Sequence, residues 1–349
     1  MRYATRATLA PLFMNVHLAV PDLFWPDRDT LSAALPGRLA AVETLLARGR
    51  RILGTPADFE SWLLAMWQTT GAAPHSFVAD GGQPGNAYWL RADPCSLRVN
   101  RDVVVPVDAS MFDLSRDETE SLVERLNAHF ADRGLVFHPM QPERWYVRVD
   151  GPLPHDAPPL AVARGRPIEV RPGADAASWH MLSNEIQMAL HEHPVNEARE
   201  RRGAPPVNAV WLWGGGRFTA PAVRPFRRVR ARDPLAAGLA LGSGAAVLPL
   251  PDDARAWLRS AGGAGVELLV LEGLRAPASY AELGTWRERL AALEREWFAP
   301  LVDALRRGQV GMVTLHAIGA GGTLDAETTR QDLRYFWRRP RPLASYAPQ

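Results

Sequence analysis

The chain has 349 residues, 47% of them hydrophobic, enough to bury a sizeable core in about two domains. Its 40 basic residues are all arginine and face 38 acidic ones, so the formal charge is only +2; with no lysine beside abundant Ala, Gly and Pro, the arginine content reads as the mark of a GC-rich genome and argues little for phosphate or nucleic-acid binding. No run approaches the ~20 apolar residues of a membrane span, and the single cysteine, Cys95, excludes an internal disulfide framework and fits a reducing, cytoplasmic compartment.

Ala7 to Val20 is apolar behind Arg2 and Arg6, but Asn15 and His17 interrupt it and no small-residue cleavage site follows. The reading is a first core strand, Met14 to Val20, rather than a signal peptide. Pro21 to Pro26 is then a loop leaving a strand end, where open α/β sheets place their sites. Leu39, Val42, Leu45 and Leu46 recur at helical spacing within Leu35–Arg50, and Gly49 supplies a stop. A second helix, Phe59 to Thr69, carries Trp62, Leu63, Met66 and Trp67 as core residues.

Val103 to Val107 is a strand, and Ser115 with Glu118 forms a capping box opening a helix to about Asp132. The short strands Leu135–His138 and Trp145–Val149 complete an α+β pattern. Six prolines within 151–174 mark a long loop or a hinge between subdomains. Asp175 caps a helix to His191, with Trp179, Leu182, Ile186 and Ala189 on one face and His180, Asn184, Gln187 and His191 on the other. Val207–Trp213 is a buried strand ending in a tight turn at Gly214-Gly215-Gly216. Val266–Leu271, a helix from about Ala281 to Arg307 kinked at Pro300, and Val310–His316 form a β-α-β unit and imply a parallel sheet.

Three constellations have more than one reading each. His180 with His191, His193 and Asn196 is a helix-ending polar loop, or a ligand or metal site if the helix ends between His191 and His193. The triple glycine is a turn or a set of amides for a phosphate. Arg224, Arg227, Arg228, Arg230 and Arg232 are a solvated face or a grip for an acidic partner, and the tail Phe336-Trp337-Arg338-Arg339-Pro340-Arg341 is similar in kind. Without a recognisable nucleic-acid motif, the solvated reading is preferred for both runs.

Ala92-Asp93-Pro94, Leu97-Arg98, Arg101-Asp102, Pro142-Glu143-Arg144-Trp145-Tyr146, His193-Pro194-Val195-Asn196 and Arg201-Arg202-Gly203 together resemble the RpfE-type regulatory proteins. That family in turn resembles the archaeal-type, cofactor-independent phosphoglycerate mutases of the alkaline phosphatase superfamily. The resemblance implies an α/β fold: an alkaline-phosphatase-like core with a mainly parallel sheet flanked by helices, built from 1–97 and 236–349, with an inserted α+β domain at 98–235. It also implies a site of two divalent metals and a serine nucleophile, which this sequence does not reproduce. Asp22 stands near the opening aspartate, Asn86 stands where serine belongs and Ala87 where aspartate follows. Tyr280 takes a histidine position, and Leu315 replaces an aspartate beside the surviving His316.

The expectation is therefore a non-catalytic protein with a regulatory or binding role and no cofactor. Asp22 and His316 are metal-site remnants, and Asn184, Gln187, His191, His193 and Asn196 are the ligand-binding candidates. A small phosphorylated or anionic ligand and a protein are the expected partners; a membrane or nucleic acid is not. The alternatives are a mutase or phosphatase with a degenerate site, using manganese or zinc, and an interaction module using the Arg224–Arg232 face.

Overall fold

The computed structural model describes residues 13–35, 37–100, 103–151, 157–168, 174–260 and 262–348. The apolar stretch preceding residue 13 and the side chain of Asp175 lie outside that description. The chain forms two compact units, one from Met1–Trp67 with Val223–Gln349 and one from Gln68–Ala222. The strands in chain order are β1 (Met14–Pro21), β2 (Arg50–Gly54), β3 (Tyr88–Asn100), β4 (Val103–Asp108), β5 (Val136–Gln141), β6 (Arg144–Val149), β7 (Ala209–Arg217), β8 (Arg228–Arg230), β9 (Ala246–Leu248), β10 (Gly265–Val270), β11 (Met312–Ile318) and β12 (Thr323–Thr329).

The first unit is an α/β layer structure around a seven-stranded sheet in the order β2-β12-β11-β1-β10-β8-β9. Five strands, β11 to β9, run parallel, and β12 and β2 add an antiparallel edge. The two strands expected to bracket a β-α-β unit, β10 and β11, both pair with β1, which lies between them. Val16, Leu18 and Val20 of β1 face a core shared with the helix residues Val42, Leu45 and Leu46, and with Trp286, Leu290, Leu301 and Leu305. The long helix expected over 281–307 is observed as Leu283–Leu293, one π-helical turn at Glu294–Phe298, and Ala299–Arg307. The wide turn sits just before Pro300, whose missing N–H and ring bulk break the regular ladder there. The helix expected over Leu35–Arg50 is shorter, Ala40–Arg48, with a separate helix Arg28–Ala34 before it and β2 starting directly after it at Arg50.

The second unit is α+β, as expected, with an antiparallel sheet in the order β4-β3-β6-β5 and β7 also paired to β3. Helices Arg116–His129 and Ala174–His191 cover one face, burying Leu122, Leu126, Ile186 and Leu190 against Trp145, Val147 and Leu212. The Ser115–Glu118 capping box is present. Helix Ala72–Ala79 covers the other face through Ala73 and Phe77 on Trp89 and Tyr146.

This unit begins and ends earlier than the expected 98–235. The reason lies in the strands: β3 starts at Tyr88 and is the sheet's central strand, whereas β8 pairs in parallel with β10 in the other sheet. The proline-rich stretch is internal to the second unit and contains a short helix, Leu160–Ala163, so it is no hinge between units. The triple glycine is a correction of another kind. Gly214–Gly216 belong to β7, where a Cβ on Gly216 would stand 2.8 Å from Gly71 Cα and one on Gly214 would stand 2.9 Å from Ala72 Cβ. Glycine is used for close backbone approach rather than for turning.

Candidate functional site

The carboxyl ends of the parallel strands in the first unit gather its chemistry. β1 ends at Pro21 and the chain turns through Asp22 at φ 57°, an uncommon conformation for a residue with a side chain. Its N–H donates to Ile318 O at 2.8 Å and its carbonyl accepts from Trp286 Nε1 at 3.0 Å, which hold the turn in place. β10 runs out into Leu271 and Glu272 before helix Arg275–Ser279, and β8 runs out toward Asp233, which caps helix Pro234–Gly242 by accepting from Ala236 N–H at 2.8 Å.

Arg275 is the centre of this cluster. Its guanidinium pairs with Glu60 at 2.7 Å, and both side chains are nearly buried. Burial opposes the charge on Arg275, but Glu60, Asp233 and, more weakly, Asp22 outweigh it and raise its pKa. The Glu272 pKa is raised as well, which for a carboxyl disfavours the charged form. Burial and the negative charge of Asp233 push its carboxyl up to about 7, although Arg275 and Arg232 moderate the shift. One guanidinium thus sits among four carboxyl groups, and one of those groups changes charge near neutral pH.

On the sheet face beneath helix Phe59–Trp67, three side chains form a chain: His17 Nδ1 lies 2.8 Å from His316 Nε2, and His316 Nδ1 lies 2.7 Å from Asp325 Oδ1. Trp62 packs on His316 with ring centroids 5.0 Å apart, and Phe226 meets His17 edge-on at 5.2 Å. Burial, then the neighbouring His316, hold the His17 imidazole well below its usual pKa, so it is neutral at pH 7. Leu315 points to the opposite face, into the hydrophobic core, as successive strand residues must.

Divalent metals do not fit this arrangement. Among the described residues no three His, Cys, Asp or Glu side chains are grouped to hold an ion. Arg275 already pairs with Glu60 and is kept charged by the nearby Asp233 and Asp22, and both ring nitrogens of His316 have partners. The two residues singled out from the sequence as metal remnants, Asp22 and His316, thus have distinct protein surroundings.

The remaining sequence candidates lie in the second unit. Asn86 is in an exposed turn before β3, and its carbonyl accepts from Arg217. Asn184 and His191 are exposed on their helix, and Gln187 donates to Ser183 Oγ at 3.3 Å. His193 is the N-cap of helix Pro194–Arg201 and accepts from Val195 N–H. Asn196 is buried and bonded to the carbonyls of Leu190 and Val207 and to the N–H of Val207. The buried members of this group, His193 and Asn196, join a helix end to the approach of β7.

Other residues of the resembling phrases are likewise structural. Arg91 pairs with Asp93 at 2.6 Å, Asp93 accepts from Trp213 Nε1 at 2.6 Å, and Asp80 takes both Arg144 and the Tyr146 hydroxyl. In the Arg224–Arg232 run, Arg228 and Arg230 pair with the buried Glu267, so the five do not form a common exposed face.

Glu60, Asp233, Glu272, His17 and Asp325 were not singled out from the sequence. Glu272 and Asp233 had a usable signal, since each follows a parallel strand within three residues. Glu60 and Asp325 reach their partners from a helix and from the antiparallel strand β12, which nothing local announces.

No family model matches the chain. It is 26% identical over 216 residues to the 2,3-bisphosphoglycerate-independent phosphoglycerate mutase of Methanosarcina acetivorans, covering 58% of this chain and 53% of that one. It is 29% identical over 126 residues to the mutase of the same description from Methanosarcina barkeri, covering 35% and 31%. The chain therefore spans about half or less of the length of these relatives. Among solved structures, the PH0037 protein of Pyrococcus horikoshii aligns with a TM-score of 0.56 at 14% identity over 92% of this chain and 88% of that one. By sequence the chain is similar to cofactor-independent phosphoglycerate mutases over part of their length, and it shares the fold of the Pyrococcus protein along most of its own.

Proposed function

We propose that this is a non-catalytic phosphoglycerate-mutase-like protein with a regulatory or binding role, of the RpfE type, acting in the cytoplasm. The observation that carries the reading is the Arg275 guanidinium among Glu60, Asp233, Glu272 and Asp22. A fixed internal cation neutralises the carboxylates that a metal-dependent phosphotransferase would spend on its ions. Asn86 supports it from the other unit, because an amide in an exposed turn offers no oxygen nucleophile for a phosphoryl group. Cys95, fully buried with its thiol pKa pushed up by burial, is unreactive and consistent with a reducing compartment.

The His17–His316–Asp325 chain is the one observation that favours the enzymatic alternative, since a carboxylate-oriented imidazole is the usual form of a general base. A single experiment separates the two. The purified protein is assayed for interconversion of 2- and 3-phosphoglycerate with Mn²⁺ or Zn²⁺ supplied, and is titrated calorimetrically with each ion and with 3-phosphoglycerate. The expected result is no turnover and no tight metal binding. Turnover abolished by Asp22→Ala or His316→Ala would overturn the proposal.

A further inference from the structure

The C-terminal segment, read from sequence as one more solvated arginine run, builds a groove instead. Arg338 Nη1 donates to Arg48 O at 2.9 Å, Arg48 Nη1 donates to Leu333 O at 2.6 Å, and the Tyr346 hydroxyl accepts from Arg341 N–H at 3.0 Å. These bonds fold residues 332–346 against the start of β2 and leave an open groove of about 960 Å³, within the size range of small-molecule sites. Arg50, Arg51, Arg338, Arg339 and Arg341 all line it.

This concentration is not what composition delivers. The whole chain carries +2, yet five arginines line this one groove. Among the described residues only Arg50 of the five has a carboxylate partner, Glu327 at 2.7 Å. The one acidic residue in the lining, Asp332, is engaged by the N–H and hydroxyl of Thr329. Unneutralised guanidinium groups held close together repel one another, and an anion with several oxygens relieves that repulsion.

The lining also carries aromatic faces. Trp337 is 63% exposed, an unusual position for an indole, and stands beside Tyr335 with ring centroids 5.1 Å apart. Arg338 lies over Tyr335 and Arg51 over Tyr346. Inorganic phosphate would use the guanidinium groups and leave the indole idle, whereas a planar base attached to a phosphate chain uses both.

We infer that this groove binds a nucleoside polyphosphate, with the base stacked on Trp337 and the phosphates held by Arg51, Arg339 and Arg341. None of these residues belongs to the strand-end cluster, so the site stands whether or not that cluster turns over phosphoglycerate. The full chain is titrated calorimetrically with ATP and GTP, and with tripolyphosphate, adenosine and a single-stranded 20-mer as comparison probes. At least one nucleotide should bind with a micromolar Kd, about tenfold or more tighter than tripolyphosphate or adenosine. Arg339→Ala with Arg341→Ala should weaken that nucleotide about tenfold or more, and Trp337→Ala about fivefold or more. All three side chains are exposed, so melting temperatures should be unchanged and the variants remain informative. Absence of nucleotide binding, tripolyphosphate binding as tight as the nucleotide, tighter binding of the oligonucleotide, or full affinity in the variants would each overturn the inference.

Discussion

Arg275 Nη2 lies 2.7 Å from Glu60 Oε1, while the same guanidinium rests 4.9 Å from the ring centroid of Phe59, the residue before its partner. A helix that precedes the second unit in sequence and a segment that follows β10 are thereby joined by a nearly buried ion pair. The other carboxylate oxygen, Glu60 Oε2, is buried with no hydrogen-bond partner among the described residues. The pair is electrostatically committed but incompletely satisfied.

Removing Arg275 should be costly and revealing. Arg275→Ala leaves Glu60 buried without its counter-ion, a change expected to cost about 3–5 kcal/mol in urea unfolding. The double variant Glu60→Gln with Arg275→Met should recover much of that loss. If Arg275 stands in for a metal, Mn²⁺ should raise the melting temperature of Arg275→Ala and leave the parent chain unchanged. A parent chain stabilised by Mn²⁺ as much as the variant would contradict the internal-cation assignment.

Glu272 makes the first unit sensitive to pH. Its carboxyl is raised from 4.5 to about 7, first by burial and then by Asp233, so the folded chain holds this proton more tightly than the unfolded one. Its contribution to stability is complete below pH 4.5 and is lost as pH rises through about 7. Glu272→Gln, which keeps the shape and removes the titration, should flatten this part of the profile. At pH 8 it should be more stable than the parent by up to about 3 kcal/mol. Equal slopes for parent and variant between pH 4.5 and 7 would show that Glu272 titrates normally.

The order of burial along β1, β10 and β11 was legible because fully covered parallel strands read as apolar runs, and the Ser115–Glu118 cap because its signal is local. The position of β1 between β10 and β11 was not, since strand order is decided by helices packing on both faces rather than by any run of residues. The same limit hid the strand-end cluster. Glu60 and Arg275 are far apart in sequence, and only the sheet brings them together. The phrases that carried the resemblance proved legible for another reason: Asp93, Tyr146 and Asn196 are buried polar groups that must each find a partner, so they specify the second unit's packing more than any chemistry.

The glycines of β7 offer a steric test of that packing. Gly216→Ala would place a methyl 2.8 Å from Gly71 Cα, a contact with backbone that no side-chain rotation can relieve. The expected cost is about 1–3 kcal/mol in the unfolding of the second unit. Gly203→Ala, which meets nothing within 4 Å but occupies φ +73°, should cost about 1 kcal/mol through backbone strain alone. A Gly216→Ala variant as stable as the parent would mean that β7 and the start of helix Ala72–Ala79 are not held at this separation.

Asn196 distinguishes a structural from a ligand-binding role for the His193–Asn196 motif. Its amide donates to Leu190 O at 2.8 Å and to Val207 O at 2.9 Å, and its carbonyl oxygen accepts from Val207 N–H at 2.8 Å. Asn196→Ala removes all three bonds from a buried site and strands two carbonyls and one N–H, which should cost about 3 kcal/mol. The loss should be visible locally as well, because amide exchange at Val207 depends on that one acceptor and should accelerate strongly in the variant. Asn184→Ala, at an exposed helix position of the same stripe, should stay within about 0.5 kcal/mol of the parent. If the stripe were instead a ligand site, both substitutions would weaken 3-phosphoglycerate binding in calorimetry while Val207 kept its protection. The hydrogen bonds already made by Asn196 leave its amide group no free donor, so the structural outcome is the one expected.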